Sequence, residues 1–197
     1  MMVGGMLWLQ AQTEAGKVLI GTSANLYGSS SISLLEDCPN AVGFALIRHK
    51  AKADDYESDV TKTSTFNLSP RVGFFAADHL LVGAELFVGS YKEEDMDEAY
   101  TDFVGGPFLR YYFDLPNFKP FLQAGLSAGQ MKLSKEMKWN SVNFGGGLGG
   151  AFFVSDKVSI DLVANFVHST VKPSDNPGNS KELLDAFGFG VGLSVFL

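Results

Sequence analysis

The chain has 197 residues, 46% apolar and 19% charged, with a net charge of −7, 22 glycines and 17 phenylalanines. That length suits one domain, and the acidic balance offers no basic surface to a phosphate backbone, so nucleic acid is excluded as a partner. The single Cys38 has no second thiol for a disulfide or a structural zinc, and no run of about 18 to 20 apolar residues offers a membrane-spanning helix.

The N-terminal "MMVGGMLWLQAQTEAGK" carries a short apolar segment followed by Ala11 and Gln12. It resembles the end of a secretory signal without the usual basic residues in front. Residues 1–16 are therefore expected to be a signal remnant or N-terminal tail, and residues 17–197 a single barrel domain with a long first external loop at 29–62.

From Lys17 onward the apolar pattern has period two, which sends alternate side chains to opposite faces of a strand. "VLIGTSANLYG" opposes Val18, Ile20 and Thr22 to Leu19 and Gly21. "TFNLSPRVGFF" sets Phe66, Leu68, Pro70, Val72 and Phe74 against Asn67, Ser69, Arg71 and Gly73. After a short turn, "HLLVGAELFVGSY" places Leu80, Val82, Ala84 and Leu86 opposite Gly83, Glu85 and Phe87. In the fourth segment Leu109 and Tyr111 oppose Arg110 and Tyr112; in the fifth Leu122, Ala124 and Leu126 oppose Gln123, Gly125 and Ser127. The sixth opposes Val142, Phe144 and Leu148 to Asn143, Gly145 and Gly147. The seventh opposes Ile160, Leu162 and Phe166 to Asp161 and Asn165, and the eighth Phe187, Phe189 and Val191 to Gly188, Gly190 and Gly192.

Connections after the second, fourth and sixth strands are tight. Residues 29–62, 92–98, 132–138 and 171–182 make longer links, so the two ends differ. The segment from Ser29 to Lys50 is unusually apolar for a loop; it reads as a hairpin around Cys38 to Asn40 that extends the wall, or, if it spans, as two further strands making ten. In a sandwich the apolar face is interior and the polar face meets water. Here the other face is Gly, Ser and Asn with a few charges, which suits the crowded inside of a narrow barrel. The continuous Leu/Val/Phe face then lies outside, against lipid. The expected fold is all-β: an eight-stranded antiparallel up-and-down transmembrane β-barrel.

Arg71, Glu85, Arg110 and Asp161 lie at similar distances from the tight turns, so at strand rise they share one level. An enclosed charge is tolerated only when paired, so these four, supplemented by Gln123, are expected to form a lumen charge network plugging the turn end.

"SPRVGFFAADHLLVGAEL" (Ser69 to Leu86), "GPFLRYYF" (Gly106 to Phe113), "KPFLQAGLSAG" (Lys119 to Gly129) and the terminal strand together resemble the small outer-membrane β-barrel family of the eight-stranded OmpA/OmpX type. The resemblance covers Lys17 to Leu197. It implies a Gram-negative outer membrane, tight turns in the periplasm, long loops outside, lipids as surroundings, and the barrel assembly machinery as a partner in biogenesis. The family's terminal aromatic residue is matched by Phe196, displaced one position inward by Leu197.

Other signals have plainer readings. "GGGLGG" (Gly145 to Gly150) satisfies G-x-G-x-x-G, but a strand follows where a dinucleotide site needs a helix N-terminus. His168, Ser169 and Thr170, with Glu182 and Asp185, contain the residue types of a hydrolase, but adjacent residues on a strand point to opposite faces. The acidic stretches "KEEDMDE" and "ADDYESD" lack the spacing of a calcium loop. No cofactor, metal or catalytic residue is expected. The leading expectation is a monomeric, non-enzymatic barrel with a structural or surface-interaction role through loops whose ligand the sequence does not name. The alternatives are a small pore, a lipid-modifying hydrolase, or a soluble ligand-carrying barrel with its apolar face turned inward.

Overall fold

The computed structural model describes residues 11–22, 43–49, 52–53, 56–57, 61–94, 98–115, 118–132, 134, 137–174 and 181–197. Among them a 3-10 turn (Ala11–Thr13) precedes strands β1 (Val18–Thr22), β2 (Gly43–His49), β3 (Lys52–Ala53), β4 (Tyr56–Glu57), β5 (Thr61–Leu68), β6 (Pro70–Ala77) and β7 (Leu80–Glu93). Then come β8 (Tyr100–Tyr112), β9 (Lys119–Lys132), β10 (Lys138–Ser155), β11 (Val158–Pro173) and β12 (Glu182–Phe196).

Antiparallel pairing runs β7, β6, β1, β12, β11, β10, β9, β8 and returns to β7, closing a ring of eight. All eight strands read from the alternation are present. β5 prolongs β6 past Ser69 without a change of register, since Leu68 faces Val88 and Arg71 faces Glu85 on the same neighbour. On the other flank of that composite strand, Thr22 faces Pro70 and Gly43 faces Asn67. The segment expected as a loop at 29–62 thus contributes β2, which stands above β1 and lengthens the wall. The rest of the first expected strand and the hairpin tip at Cys38 to Asn40 lie outside the described residues.

The turns follow from local chemistry. His79 closes the β6–β7 hairpin at φ 66°, a left-handed conformation that His tolerates better than most side chains. A bulge between Phe75 and Ala77 absorbs the extra residue. Residues 11–16, part of the expected terminal tail, dock across this end. The His79 N–H donates to the Thr13 carbonyl at 2.7 Å, the Ala15 N–H to Asp78 Oδ1 at 2.9 Å, and Gln12 Nε2 to the Asp156 carbonyl at 2.5 Å.

Period two sorts the faces. Val72, Phe74, Leu109, Leu126, Phe144, Leu148 and Phe189 are exposed on the outside, while Arg71, Arg110, Asn143, Asp161 and Ser194 are buried inside. The apolar core is smaller than the outer belt: Leu19, Phe75, Leu81, Tyr112, Phe121 and Phe196 fill the turn end of the lumen. The β8–β9 ladder has a gap. Between β8 and β9 the pairs run to Gly105 with Ala128 and resume at Phe108 with Gly125, skipping Gly106 and Pro107. Proline has no N–H to give, so a mid-strand Pro removes a ladder bond.

Candidate functional site

Asp161, inward on β11 and fully buried, is the centre of a polar cluster in the turn-end half of the lumen. Its Oδ2 accepts from Arg71 Nη2 at 2.8 Å, from Arg110 Nη1 at 2.6 Å and from Ser194 Oγ at 2.9 Å. Its Oδ1 accepts from Ser159 Oγ at 2.7 Å. Arg110 also donates through Nη2 to Gln123 Oε1 at 2.7 Å, and Gln123 Nε2 passes the chain on to Asn165 Oδ1 at 2.8 Å. Five walls, those of β6, β8, β9, β11 and β12, are tied by this one cluster. Glu85 is buried on β7 directly across from Arg71, so two arginines and two acids balance to zero formal charge. The structure therefore brings Arg71, Arg110, Gln123 and Asp161 into bonded contact and puts Glu85 at the adjoining register position.

Arg110 answers a sequence puzzle, a guanidinium amid aromatic residues. Its Cζ lies 3.7 Å from the centre of the Phe121 ring, and Nη1 donates to the Tyr112 hydroxyl at 3.1 Å. A planar guanidinium can keep its in-plane hydrogen bonds while its face rests on an aromatic ring. Below it the aromatic layer continues: Tyr112 meets Phe121 edge-on at 5.5 Å and Phe75 at a tilt of 39° at 5.7 Å. Two inward glycines make the space. A Cβ at Gly149 would stand 2.6 Å from the Phe121 ring, and one at Gly83 would stand 2.6 Å from that of Phe108.

This aromatic floor is what sequence reasoning missed, because the inward face was read as small and polar. The signal was present: Tyr112 shares parity with Arg110, and Phe75 with Arg71 and Gly73. Lys119 was missed as well. It is buried at the turn end and paired with Asp114 at 2.6 Å.

The loop-end half of the lumen is different. Asn143 Nδ2 donates to Ser127 Oγ at 3.0 Å. Trp139 Nε1, Ser141 Oγ and Asn143 Oδ1, at successive inward positions of β10, are buried with no hydrogen-bond partner among the described residues.

Of the residue types of a hydrolase, His168 and Asp185 meet, but Ser169 faces away from them. His168 Nδ1 donates to Asp185 Oδ1 at 2.6 Å, and its ring packs on Phe144 at 4.9 Å. Ser169 is buried on the inner face, and the side chain of Glu182 lies outside the described residues. "GGGLGG" lies within β10, paired on both flanks. Among the described residues no group of three or more His, Cys, Asp or Glu could hold a metal. "ADDYESD" and "KEEDMDE" lie largely or partly outside them. On the outer wall, beside the break at Pro107, is an apolar groove of ≈ 530 Å³ lined by Val82, Leu109, Ala124, Leu126, Phe144 and their neighbours.

No family model matches this chain, and no curated protein matches it. Among solved structures it is similar to the outer membrane protein OprG from Pseudomonas aeruginosa, with 14% identity, a TM-score of 0.49, and coverage of 93% of this chain and 97% of that one.

Proposed function

We propose that this chain is an integral outer-membrane β-barrel, monomeric and non-enzymatic, that lives among outer-membrane lipids and acts through its loop end as a structural or surface-interaction protein. The observation that carries the reading is the inversion of faces. Leu109 is 50% exposed beside an Arg110 that is 0% exposed, and a water-soluble barrel has the opposite arrangement. Water would penalise a continuous belt of exposed Leu, Val and Phe, and hydrocarbon does not. An ionic cluster seated on an aromatic floor leaves no bulk aqueous path along the axis, which argues against a pore. Heat-modifiable gel migration and resistance to carbonate extraction are expected. A cysteine at position 109 should take a lipid-soluble label and one at 110 should not. A detergent-free soluble monomer overturns the reading.

A second reading, in the transport class, rests on the interrupted ladder at Pro107 beside the outer groove. There a small apolar solute would cross the wall laterally. Pro107→Ala, which restores a ladder N–H, is then expected to slow entry of an apolar dye into vesicles; unchanged entry removes this reading.

A further inference from the structure

The outer surface of β9 and β10 is graded from groove to charge in one unbroken column of cross-strand pairs. From the groove outward these are Gly146 with Ala124, Phe144 with Leu126, Val142 with Ala128, Asn140 with Gln130, and Lys138 with Lys132. Lys172 on β11 stands opposite Asn140. Parity puts all three lysines on the same outward face as the apolar belt. Two features of this place are unexplained by the barrel alone. Directly opposed like charges, with Cβ atoms about 5 Å apart, destabilise a sheet, and the chain as a whole is acidic. Yet no ion pair engages Lys132, Lys138 or Lys172 among the described residues. The adjoining loop residues that carry charge, Lys135, Glu136 and Asp175, lie outside them.

We infer that this column is the docking surface of one anionic, phosphate-bearing membrane lipid, its phosphate held by Lys132, Lys138 and Lys172 and an acyl chain laid down the column into the ≈ 530 Å³ groove. The match is of charge and of length. Lys132 and Lys138, with the amides of Gln130 and Asn140 beneath them, bonded to each other at 3.1 Å, and Lys172 beside Asn140 form the level where headgroups lie. Lys132 is eight positions from Ala124, roughly 26 Å along the strand at about 3.3 Å per residue. With a strand tilt of about 40°, that is roughly 20 Å of depth, the reach of one leaflet. An acyl chain seated there is also what an apolar solute would have to displace.

The inference rests on the membrane reading, and the test separates the two. The full chain is reconstituted into phosphatidylcholine vesicles with a minor share of phosphatidic acid. Flotation is scored first, then bound lipid by native mass spectrometry. One retained phosphatidic acid per chain is expected. K132Q/K138Q/K172Q should lower its apparent affinity roughly a hundred-fold, at about fivefold per lysine, while still floating and still migrating as a heat-modifiable band. The charge-matched K17Q/K92Q/K157Q should retain the lipid. Ala124→Leu, which fills the groove and leaves the lysines, should weaken long-chain more than short-chain phosphatidic acid. Equal retention by both triple variants, or equal loss, overturns the inference while flotation keeps the membrane reading. Failure of the wild-type chain to float removes both.

Discussion

The two halves of the lumen are built from the same inward parity but differ in how far their side chains reach. At the turn end, Asp161 accepts four hydrogen bonds, two of them ion pairs with Arg71 and Arg110, and Arg110 rests on an aromatic layer. At the loop end, short Ser and Asn side chains line β9 and β10, where Asn143 bonds Ser127 on the adjacent strand; at both ends some buried polar atoms have no partner among the described residues, Arg71 Nε and Arg110 Nε at one and Ser141 Oγ and Asn143 Oδ1 at the other. Long side chains cross the lumen and tie five strands together; the short ones reach only the strand beside them. The turn end is therefore a core with charges inside it, and the loop end is a lining of short polar side chains with Val104, Met131, Val167 and Val171 buried among them.

Removing Asp161 should have the largest effect. Asp161→Ala leaves Arg71 and Arg110 buried with only Glu85 to offset them, and breaking a buried pair from one side costs about 3–5 kcal/mol. The urea midpoint of the reconstituted protein should fall accordingly, with the heat-modifiable band lost at lower temperature. The double change Asp161→Ala with Arg110→Leu should recover part of the loss, because it removes one stranded guanidinium. An undiminished midpoint in the single variant would mean that the cluster does not hold the walls together.

The contrast between faces gives the next effect. Leu109→Arg adds a charge one position before Arg110 on β8, on the outer belt instead of in the lumen, where an arginine near the middle of a bilayer costs about 2–4 kcal/mol. The same change in detergent, where the side chain can reach water, should cost less. Equal costs in vesicles and detergent would argue against lipid on that face.

Much of this arrangement was legible in the sequence because a strand has only two sides. Arg71, Glu85, Arg110, Gln123 and Asp161 all fall on the parity opposite to the Leu/Val/Phe set, and the tight turns fix their common level. Which atoms meet was not legible. That depends on the stagger between strands, which puts Ser194 and Asn165 into the cluster and leaves Glu85 at its edge. The aromatic floor was hidden for a related reason: Phe75, Tyr112, Phe121 and Phe196 are the strand-end residues of their walls, and only closure of the ring brings them together. The break at Pro107 was visible as a letter, but its consequence needed the register against β9.

Phe121→Leu tests the floor alone. It keeps the apolar volume near its present size but removes the ring face on which Arg110 rests, so a loss of about 2 kcal/mol is expected for a desolvated cation–π contact. The effect should shrink in an Arg110→Leu background, where no cation remains to stack. An unchanged penalty there would assign it to packing.

The smallest effect belongs to the loop end, and its size decides whether the two halves truly differ. Asn143→Ala deletes one hydrogen bond to Ser127, worth about 1 kcal/mol, but it also deletes a buried carbonyl oxygen that has no partner, and relieving such a group is favourable by a similar amount. The two terms oppose each other, so the urea midpoint should stay within about 1 kcal/mol of the wild type, against several times that for Asp161→Ala. A large loss at Asn143 would show that a partner completes the upper lining in the native state, and the loop end would then be a second core of its own.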